Sequence, residues 1–237
     1  MEGCVFLKEA IYTIPVNEAF DKMEGYCPFC HLYEKLQEDE LQLILGASMM
    51  EPEVRIETNK KGFCPTHFSM MFARKNRLQL GLILESHVEC LKKEVELGGF
   101  LAKDIGAKPV SNLEKLGSSC YVCDRIEFSL GKMFETASVL WAREKEFRAK
   151  FNAQRYFCLP HYKLLLQTAK RELPKDKYNE LVKEAEKIML SYTAELKDDV
   201  SWFCKKFDYR YDAEPWGNSK DSVERALRFI NGSIDLK

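Results

Sequence analysis

The chain of 237 residues has 36 basic and 37 acidic residues, a formal net charge of −1, and 46% hydrophobic residues. This composition is typical of a packed globular protein and excludes a largely disordered chain. The charge balance gives no strong nucleic-acid signal, and no apolar run is long enough to span a membrane. The first residues lack the basic and apolar regions of a signal peptide, so we expect a cytoplasmic protein with reduced thiols.

The first predicted elements are helices separated by short breaks. Asn17 is a candidate N-cap for a short helix that leads to the first cysteine pair. Apolar residues from Phe29 to Leu45 then recur at helical spacing. A further short helix is predicted between Pro52, which suits a first helical turn, and Gly62, which suits the position after a helix end.

A longer helical pattern follows Cys64. It predicts one amphipathic helix that bends at Gly81 and is closed by Gly98 and Gly99. The stretch 106–119 contains proline, glycine and serine residues and is predicted to be a linker. The same order of elements returns after residue 120, with an interruption at Pro174 in the helix that follows the later cysteine.

No convincing strand alternation occurs anywhere, so the predicted fold class is all-α. The repeated order predicts two tandem, duplicated helical units, each held by one metal site, with a C-terminal helix capped by Asn218 or Ser219 and ended by Gly232. The predicted divisions are an N-terminal segment with the first unit (1–105), a linker (106–119), the second unit (120–207), and a C-terminal tail with its helix (208–237).

A four-part motif of metal-ligating residues occurs twice. Each copy has a CxxC pair followed, after 33 or 34 intervening residues, by a CxxH pair. The first copy is Cys27, Cys30, Cys64 and His67, and the second is Cys120, Cys123, Cys158 and His161. Tetrahedral zinc takes four such ligands, and residues i and i+3 share one face of a helical turn. We therefore predict two zinc ions per chain, one per copy, while the spacing leaves open an exchange of half-sites between the copies.

Prolines beside several of these cysteines indicate first helical turns, where free N–H groups and the helix dipole favour thiolate. Four protein ligands leave no open coordination position, which indicates a structural metal. The alternatives are an iron–sulfur cluster, a thioredoxin-like redox pair at Cys27 and Cys30, and haem attachment at Cys27 to His31. No βαβ pattern surrounds the pair, and Asp124 replaces His31 in the second copy.

A Glu-x-Arg sequence also occupies matching positions in the two copies, as Glu53 with Arg55 and Glu146 with Arg148. These residues are candidates to orient the metal ligands. They are also candidates to line a shared cleft for a small anionic ligand, to which Asn59 would add polarity. The alternative is a local ion pair in each copy.

Several longer strings surround these motifs: CPFC at 27–30, CxxCDR at 120–125, the run 49–59, the two FCxxH closures, and the tail 206–220. With them the sequence resembles an uncharacterised bacterial domain family of unknown function that carries twin CxxC…CxxH motifs, and the resemblance covers nearly the whole chain. It implies no activity. Some members are labelled ABC transporter substrate-binding proteins, whereas this chain has neither an export signal nor an α/β pattern.

Two classes of function follow from the sequence. The first is a non-enzymatic cytoplasmic zinc protein that binds a small anionic ligand or a protein partner as a regulatory module. The second is a redox or metal-dependent enzyme that uses an iron–sulfur cluster or reactive CxxC thiolates. Closed ligand sets and the absence of a nucleophile–base signature favour the first class.

Overall fold

The computed structural model describes the backbone of residues 3–22, 26–97 and 104–232, and the side chains of these ranges from residue 11 onward. Every regular element in these ranges is helical, which confirms the all-α prediction. The α-helices are α1 (Gly3–Asp21), α2 (Pro28–Ile44), α3 (Pro52–Lys61), α4 (Pro65–Ala73), α5 (Arg77–Glu94), α6 (Ala107–Gly117), α7 (Tyr121–Arg143), α8 (Lys145–Asn152), α9 (Leu159–Glu172), α10 (Lys175–Lys205) and α11 (Ser222–Asn231). None of these helices is both long and apolar enough to cross a membrane.

Two predicted helix boundaries are confirmed. Helix α3 begins at Pro52 and ends before Gly62, whose φ of 61° lies in the left-handed region that favours glycine. Helix α11 ends before Gly232, with a φ of 83°. The N-cap residue of α11 is Asp221, and the predicted caps Asn218 and Ser219 lie earlier, in a short 3-10 turn.

The structure differs from the sequence pattern around α1 and between α4 and α6. Asn17 lies inside α1, where its side-chain amide donates to the Thr13 carbonyl at 3.1 Å, so it does not cap a new helix. The single helix expected after Cys64 is instead two helices, because the chain breaks between α4 and α5, and Gly81 lies within α5. The expected linker at 106–119 is mostly helix α6, and the predicted helix end at Gly98 and Gly99 lies outside the described residues.

The break between α4 and α5 depends on contacts with α2 and the residue after it. Arg74 adopts an extended conformation, and its guanidinium donates to the Glu38 carboxylate at 2.9 Å. Asn76 donates to the Leu45 carbonyl at 3.4 Å. Neither a proline nor a glycine occupies this break, which is why the sequence pattern did not reveal it.

The chain divides into two compact units that differ from the predicted tandem division. The inner unit is Lys35–Ser129, and the outer unit combines Met1–Glu34 with Leu130–Lys237. The names refer to chain order, because the inner unit is an insertion between the two segments of the outer unit. Tandem duplication of the sequence stays a prediction.

The core of the outer unit is aromatic. Phe20 packs against Phe29 with ring centroids 5.4 Å apart and against Phe147 at 4.8 Å. A second cluster stacks Tyr156 on Tyr192 at 4.2 Å, beside Phe229 of α11. The stretch from Trp141 to Phe157 therefore contributes its aromatic residues to this core.

The core of the inner unit is smaller and mainly aliphatic. Helix α3 packs against α5, and α5 also contacts α4 and α6. Its buried apolar residues, apart from the cysteine ligand Cys120, are Leu41, Ile44, Leu45, Met49, Phe63, Met71, Leu80, Ile83, Val122 and Ile126. Thr58 and His87 are buried with them, and His87 Nδ1 donates a hydrogen bond to the Asn59 carbonyl at 3.2 Å.

Candidate metal centres

All four cysteine-containing half-sites lie at helix N-termini, which the prolines predicted for Cys27, Cys64 and Cys158 but not for Cys120. The first cysteine of each pair directly precedes α2, α4, α7 or α9, and the second ligand lies one turn into the helix. The carbonyl of each first cysteine accepts the opening backbone hydrogen bond of its helix, for example from Phe68 to Cys64 at 3.0 Å. This geometry turns both ligands of a half-site toward one point.

The pairing of half-sites differs from the one predicted for each copy. The structure brings together Cys27, Cys30, Cys158 and His161 as the outer cluster, and Cys64, His67, Cys120 and Cys123 as the inner cluster. The prediction that each sequence copy forms its own cluster, with Cys27 and Cys30 beside Cys64 and His67, is therefore wrong. The structure shows the exchange of half-sites instead. Each cluster lies wholly within the unit of the same name.

In the outer cluster, His161 turns Nδ1 toward three sulfurs. The Nδ1 atom lies 3.1 Å from Cys158 Sγ, 3.4 Å from Cys30 Sγ and 3.7 Å from Cys27 Sγ. The Sγ atoms of Cys30 and Cys158 are 3.5 Å apart. All four side chains are buried.

The inner cluster has the same arrangement with less burial. His67 Nδ1 lies 3.2 Å from Cys64 Sγ, 3.3 Å from Cys120 Sγ and 3.4 Å from Cys123 Sγ. The Sγ atoms of Cys64 and Cys123 are 3.9 Å apart. These two cysteines are only half-buried.

These distances fit one tetrahedral ion in each cluster. Zinc bonds of about 2.3 Å to sulfur and about 2.0 Å to nitrogen place sulfurs about 3.8 Å apart and sulfur about 3.5 Å from nitrogen. In each cluster the four ligand atoms lie within 4.8 Å of one another. The residues present therefore match the donor set and the size of a single zinc site.

The surroundings of the outer cluster are apolar and close. Phe29 and Phe134 stack with centroids 3.9 Å apart, and both rings lie beside His161, at 6.1 and 5.8 Å. The backbone at Gly232 also approaches the sulfurs, since a Cβ there would lie 3.4 Å from Cys158 Sγ. Gly232 thus permits both the left-handed turn after α11 and this contact.

Thiol pKa values in the outer cluster diverge. Burial raises the pKa of Cys27, but hydrogen bonds with Cys158, Cys30 and His161 outweigh burial and leave this pKa well below its ordinary value. Hydrogen bonds with Cys158 and Cys27, together with burial, raise the pKa of Cys30. Contact with Cys27 raises the pKa of Cys158 to about 12. Three thiolates at this spacing would repel one another, and a cation between them would favour their ionised form.

Polar groups support the inner cluster. The Gln37 side-chain amide lies 3.2 Å from His67 Nε2. When Nδ1 binds a metal, Nε2 carries the proton and would donate to the Gln37 amide oxygen, which would hold the ring with Nδ1 toward the sulfurs. Tyr121, directly after Cys120, donates through its N–H to the carbonyl of Gly62, two residues before Cys64, at 3.0 Å, and this bond joins the two half-sites. Burial, followed by contact with Cys120, raises the pKa of Cys123.

Sequence reasoning missed Gln37 and the contact that Gly232 makes. Gln37 lies seven residues after Cys30 on α2, yet it contacts His67 of the inner cluster, whereas Cys30 belongs to the outer cluster. No local spacing signals such a role. Gly232 was found as a helix end, but its approach to the sulfurs depends on the packing of α11 against α9.

The structure accounts for one of the two Glu-x-Arg sequences. The Arg148 guanidinium donates through Nε to Glu184 at 3.0 Å, pairs with Glu180 at 3.2 Å, and lies 4.4 Å from the Trp141 ring centroid. Glu146 is exposed. Arg148 is therefore engaged by carboxylates of α10 within the outer unit.

The other Glu-x-Arg sequence belongs to the inner unit. Glu53 is exposed and Arg55 is half-buried on α3. Asn59 ties α3 to α5, because its side-chain oxygen accepts from Ser86 Oγ at 3.0 Å. Since Arg55 and Arg148 lie in different units, the shared anion-binding cleft stays a prediction.

Comparison with known proteins gives a family but no relative of known activity. The model of the family described as "Family of unknown function (DUF6062)" matches residues 7–237. Neither the curated proteins nor the solved structures contain a match to the chain.

Proposed function

Because the chain belongs to the DUF6062 family, whose function is unknown, we propose from its own geometry that it is a non-enzymatic zinc-binding module with two structural zinc ions. The outer ion would be held by Cys27, Cys30, Cys158 and His161, and the inner ion by Cys64, His67, Cys120 and Cys123. The single observation that carries this proposal is the convergence of eight predicted ligands into two compact Cys3His sets.

The short distances within each cluster favour one ion over an iron–sulfur cluster. A polynuclear cluster holds its ligands on different irons, which places those ligands farther apart than the edge of one tetrahedron, whereas all four ligand atoms in each cluster here lie within 4.8 Å of one another. The Sγ separations here are 3.5 Å in the outer cluster and 3.9 Å in the inner one. These values match the edge of a zinc–thiolate tetrahedron.

The closed ligand sets support a structural role. A catalytic zinc keeps one position for water or substrate, whereas each cluster here supplies four protein ligands. In the outer cluster all four are buried, so substrate has no approach to the ion. The free thiols support a reducing compartment, and we place the protein in the cytoplasm. We expect a ligand or protein partner to bind the helical surface.

Metal analysis of the purified full chain tests the proposal. We expect about two zinc ions per chain and a colourless protein, because eight ligands form two tetrahedral sets. Brown protein whose colour bleaches on reduction would show an iron–sulfur cluster and support the redox enzyme instead. One ion or none in protein prepared without chelators would contradict the two-site proposal.

A further inference from the structure

The inner cluster is open toward solvent at two of its four ligands. Cys64 and Cys123 are half-buried, whereas Cys120 is only 4% exposed and His67 only 1%. The two half-buried cysteines are neighbours, since their Sγ atoms lie 3.9 Å apart. Reactivity of a cysteine with small molecules depends on its exposure. The inner cluster therefore presents one adjacent pair of sulfurs to a small oxidant.

The outer cluster has the same ligands without this opening. None of its three cysteines is more than 2% exposed, and His161 is 7% exposed. The rings of Phe29 and Phe134 pack beside His161, with centroids 6.1 and 5.8 Å away. An oxidant reaches these sulfurs only when the unit opens locally, which costs free energy. The outer cluster is thus an internal control for reactions of the inner one.

Three bonds that need no metal join the half-sites of the inner cluster. Ser119 Oγ donates to the Lys61 carbonyl at 2.6 Å, and Tyr121 N–H donates to the Gly62 carbonyl at 3.0 Å. The Lys61 ammonium pairs with the Asp124 carboxylate at 2.7 Å. Residues 61 and 62 lie just before the earlier half-site, and residues 119, 121 and 124 lie in or beside the later one. These bonds favour the same juxtaposition of the two half-sites after an ion has left.

We propose that Cys64 and Cys123 are the site of a reversible oxidative modification, in which a peroxide converts them to a disulfide and the inner cluster releases its zinc. This inference rests on the proposed zinc sites and adds regulation to one of them. Once the disulfide has formed, only Cys120 and His67 remain as ligands, which is half of a tetrahedral set. Reduction by a dithiol restores all four ligands, so the modification is reversible.

Hydrogen peroxide is the oxidant for which the reaction is written. One thiolate attacks a peroxide oxygen and becomes a sulfenic acid, while the departing hydroxide takes up a proton and leaves as water. The second thiolate attacks this sulfur, forms the S–S bond and displaces hydroxide, which is protonated to a second water. The two sulfurs together lose two electrons, the peroxide gains two, and two protons are consumed.

The geometry of the pair suits the second step. The sulfurs must approach by about 1.9 Å to pass from 3.9 Å to the S–S bond length of about 2.0 Å. Cys64 and Cys123 lie at the starts of two different helices, α4 and α7, so side-chain rotation and small shifts of either helix start can close this distance. Rapid closure matters because a sulfenic acid without a neighbouring thiolate is oxidised further to sulfinic acid, which is irreversible.

Treatment of the zinc-loaded full chain with hydrogen peroxide tests this inference, and a colorimetric indicator reports the released zinc. We expect peroxide to speed release of one of the two ions about tenfold or more over its rate without peroxide, while the other ion stays bound. Peptide mapping without reductant should find Cys64 linked to Cys123. Dithiothreitol with added zinc should then restore two ions per chain.

Two variants assign the response. The other three cysteines lie outside both motifs, so the triple variant Cys4→Ser, Cys90→Ser and Cys204→Ser should react like the unaltered protein. Cys27→Ser with Cys158→Ser alters only the outer cluster and should release the inner ion in peroxide at the unaltered rate. Helicity is measured for both variants, and the disulfide mapped in the unaltered protein decides the question where a variant fails to fold.

Several results would overturn the inference while two zinc ions per chain are present. They are unchanged release in peroxide, equal acceleration at both clusters, a disulfide between other cysteines, and oxidation that dithiothreitol does not reverse. Fewer than two zinc ions before treatment would instead contradict the proposed function, and the inference with it. Metal analysis before peroxide is added therefore distinguishes the two failures.

Discussion

The outer and inner clusters have identical ligands in different surroundings. In the outer cluster all four ligands are buried among Phe29, Phe134 and the backbone of Gly232. In the inner cluster two cysteines are half-buried, and Gln37 orients the histidine. Because the ligands are the same, we expect both clusters to prefer the same metal. We expect the rate of metal release to differ, because burial and the hydrogen bonds to the ligands differ.

The largest expected effect concerns the pairing on which this comparison rests. Cys27→Ser with Cys158→Ser alters only the outer cluster, so the protein should retain about one zinc. Cys27→Ser with Cys64→Ser alters both clusters and should retain little or no zinc after chelator treatment. Metal analysis of both double variants gives the answer. If Cys27→Ser with Cys64→Ser retained one zinc and Cys27→Ser with Cys158→Ser retained none, the clusters would instead form within each sequence copy.

Replacing the support of the inner cluster should have the next largest effect. Gln37→Leu removes the hydrogen bond to His67 Nε2, and loss of such an outer partner costs about 10- to 100-fold in metal affinity. Competition with a zinc chelator measures the change. Only the affinity for the inner ion should fall. Gln42→Leu, elsewhere on α2, is the control, and equal losses in both variants would contradict an orienting role.

Zinc release should occur in two phases. The half-buried inner cluster should lose its ion first, because less structure must open. A difference of about 1.4 kcal/mol in opening free energy makes release about tenfold faster. A colorimetric zinc indicator follows both phases, and the double variant Cys27→Ser with Cys158→Ser should show the fast phase alone. A single phase in the unaltered protein would mean that burial does not distinguish the clusters.

A smaller effect is expected from Gly232→Ala. The left-handed φ of 83° costs a non-glycine residue about 1–2 kcal/mol, and the added Cβ would lie 3.4 Å from Cys158 Sγ. We expect a lower melting temperature and faster release from the outer cluster. Gly217→Ala is the control, since it has a φ of 55° with no atom within 4 Å of its Cβ. Equal release rates in the two variants would show that backbone strain at a positive φ causes the effect, without a contribution from the contact with Cys158 Sγ.

The sequence predicted the eight residues that form the two clusters and most of the helices that carry them, but not the pairing. Two-residue spacers and prolines act locally, so they specify half-sites and helix starts. Pairing depends on loop closure and packing. Closing the loop from Cys30 to Cys158 costs only about 1 kcal/mol more than closing that from Cys30 to Cys64. The stacking of Phe29 on Phe134 and the bond from Tyr121 to Gly62 typically contribute about 0.5–1.5 kcal/mol each, which is comparable to this cost.

Exchange of half-sites also sets an order of assembly on the ribosome. The chain closed by the inner cluster lies entirely between Cys30 and Cys158 of the outer cluster, which are 128 residues apart. All four inner ligands are therefore synthesised before Cys158 and His161 complete the outer set. Even earlier, after His67 and before Cys120, the only complete set is Cys27, Cys30, Cys64 and His67.

This early set is absent from the folded protein, yet the growing chain exposes it for some time. His67 and Cys120 are 53 residues apart, and synthesis at about 5–20 residues per second leaves roughly 3–10 seconds between them. Zinc captured in that interval would join the two half-sites that the native fold separates. Timing of metal delivery relative to translation thus becomes part of how this protein reaches its native state.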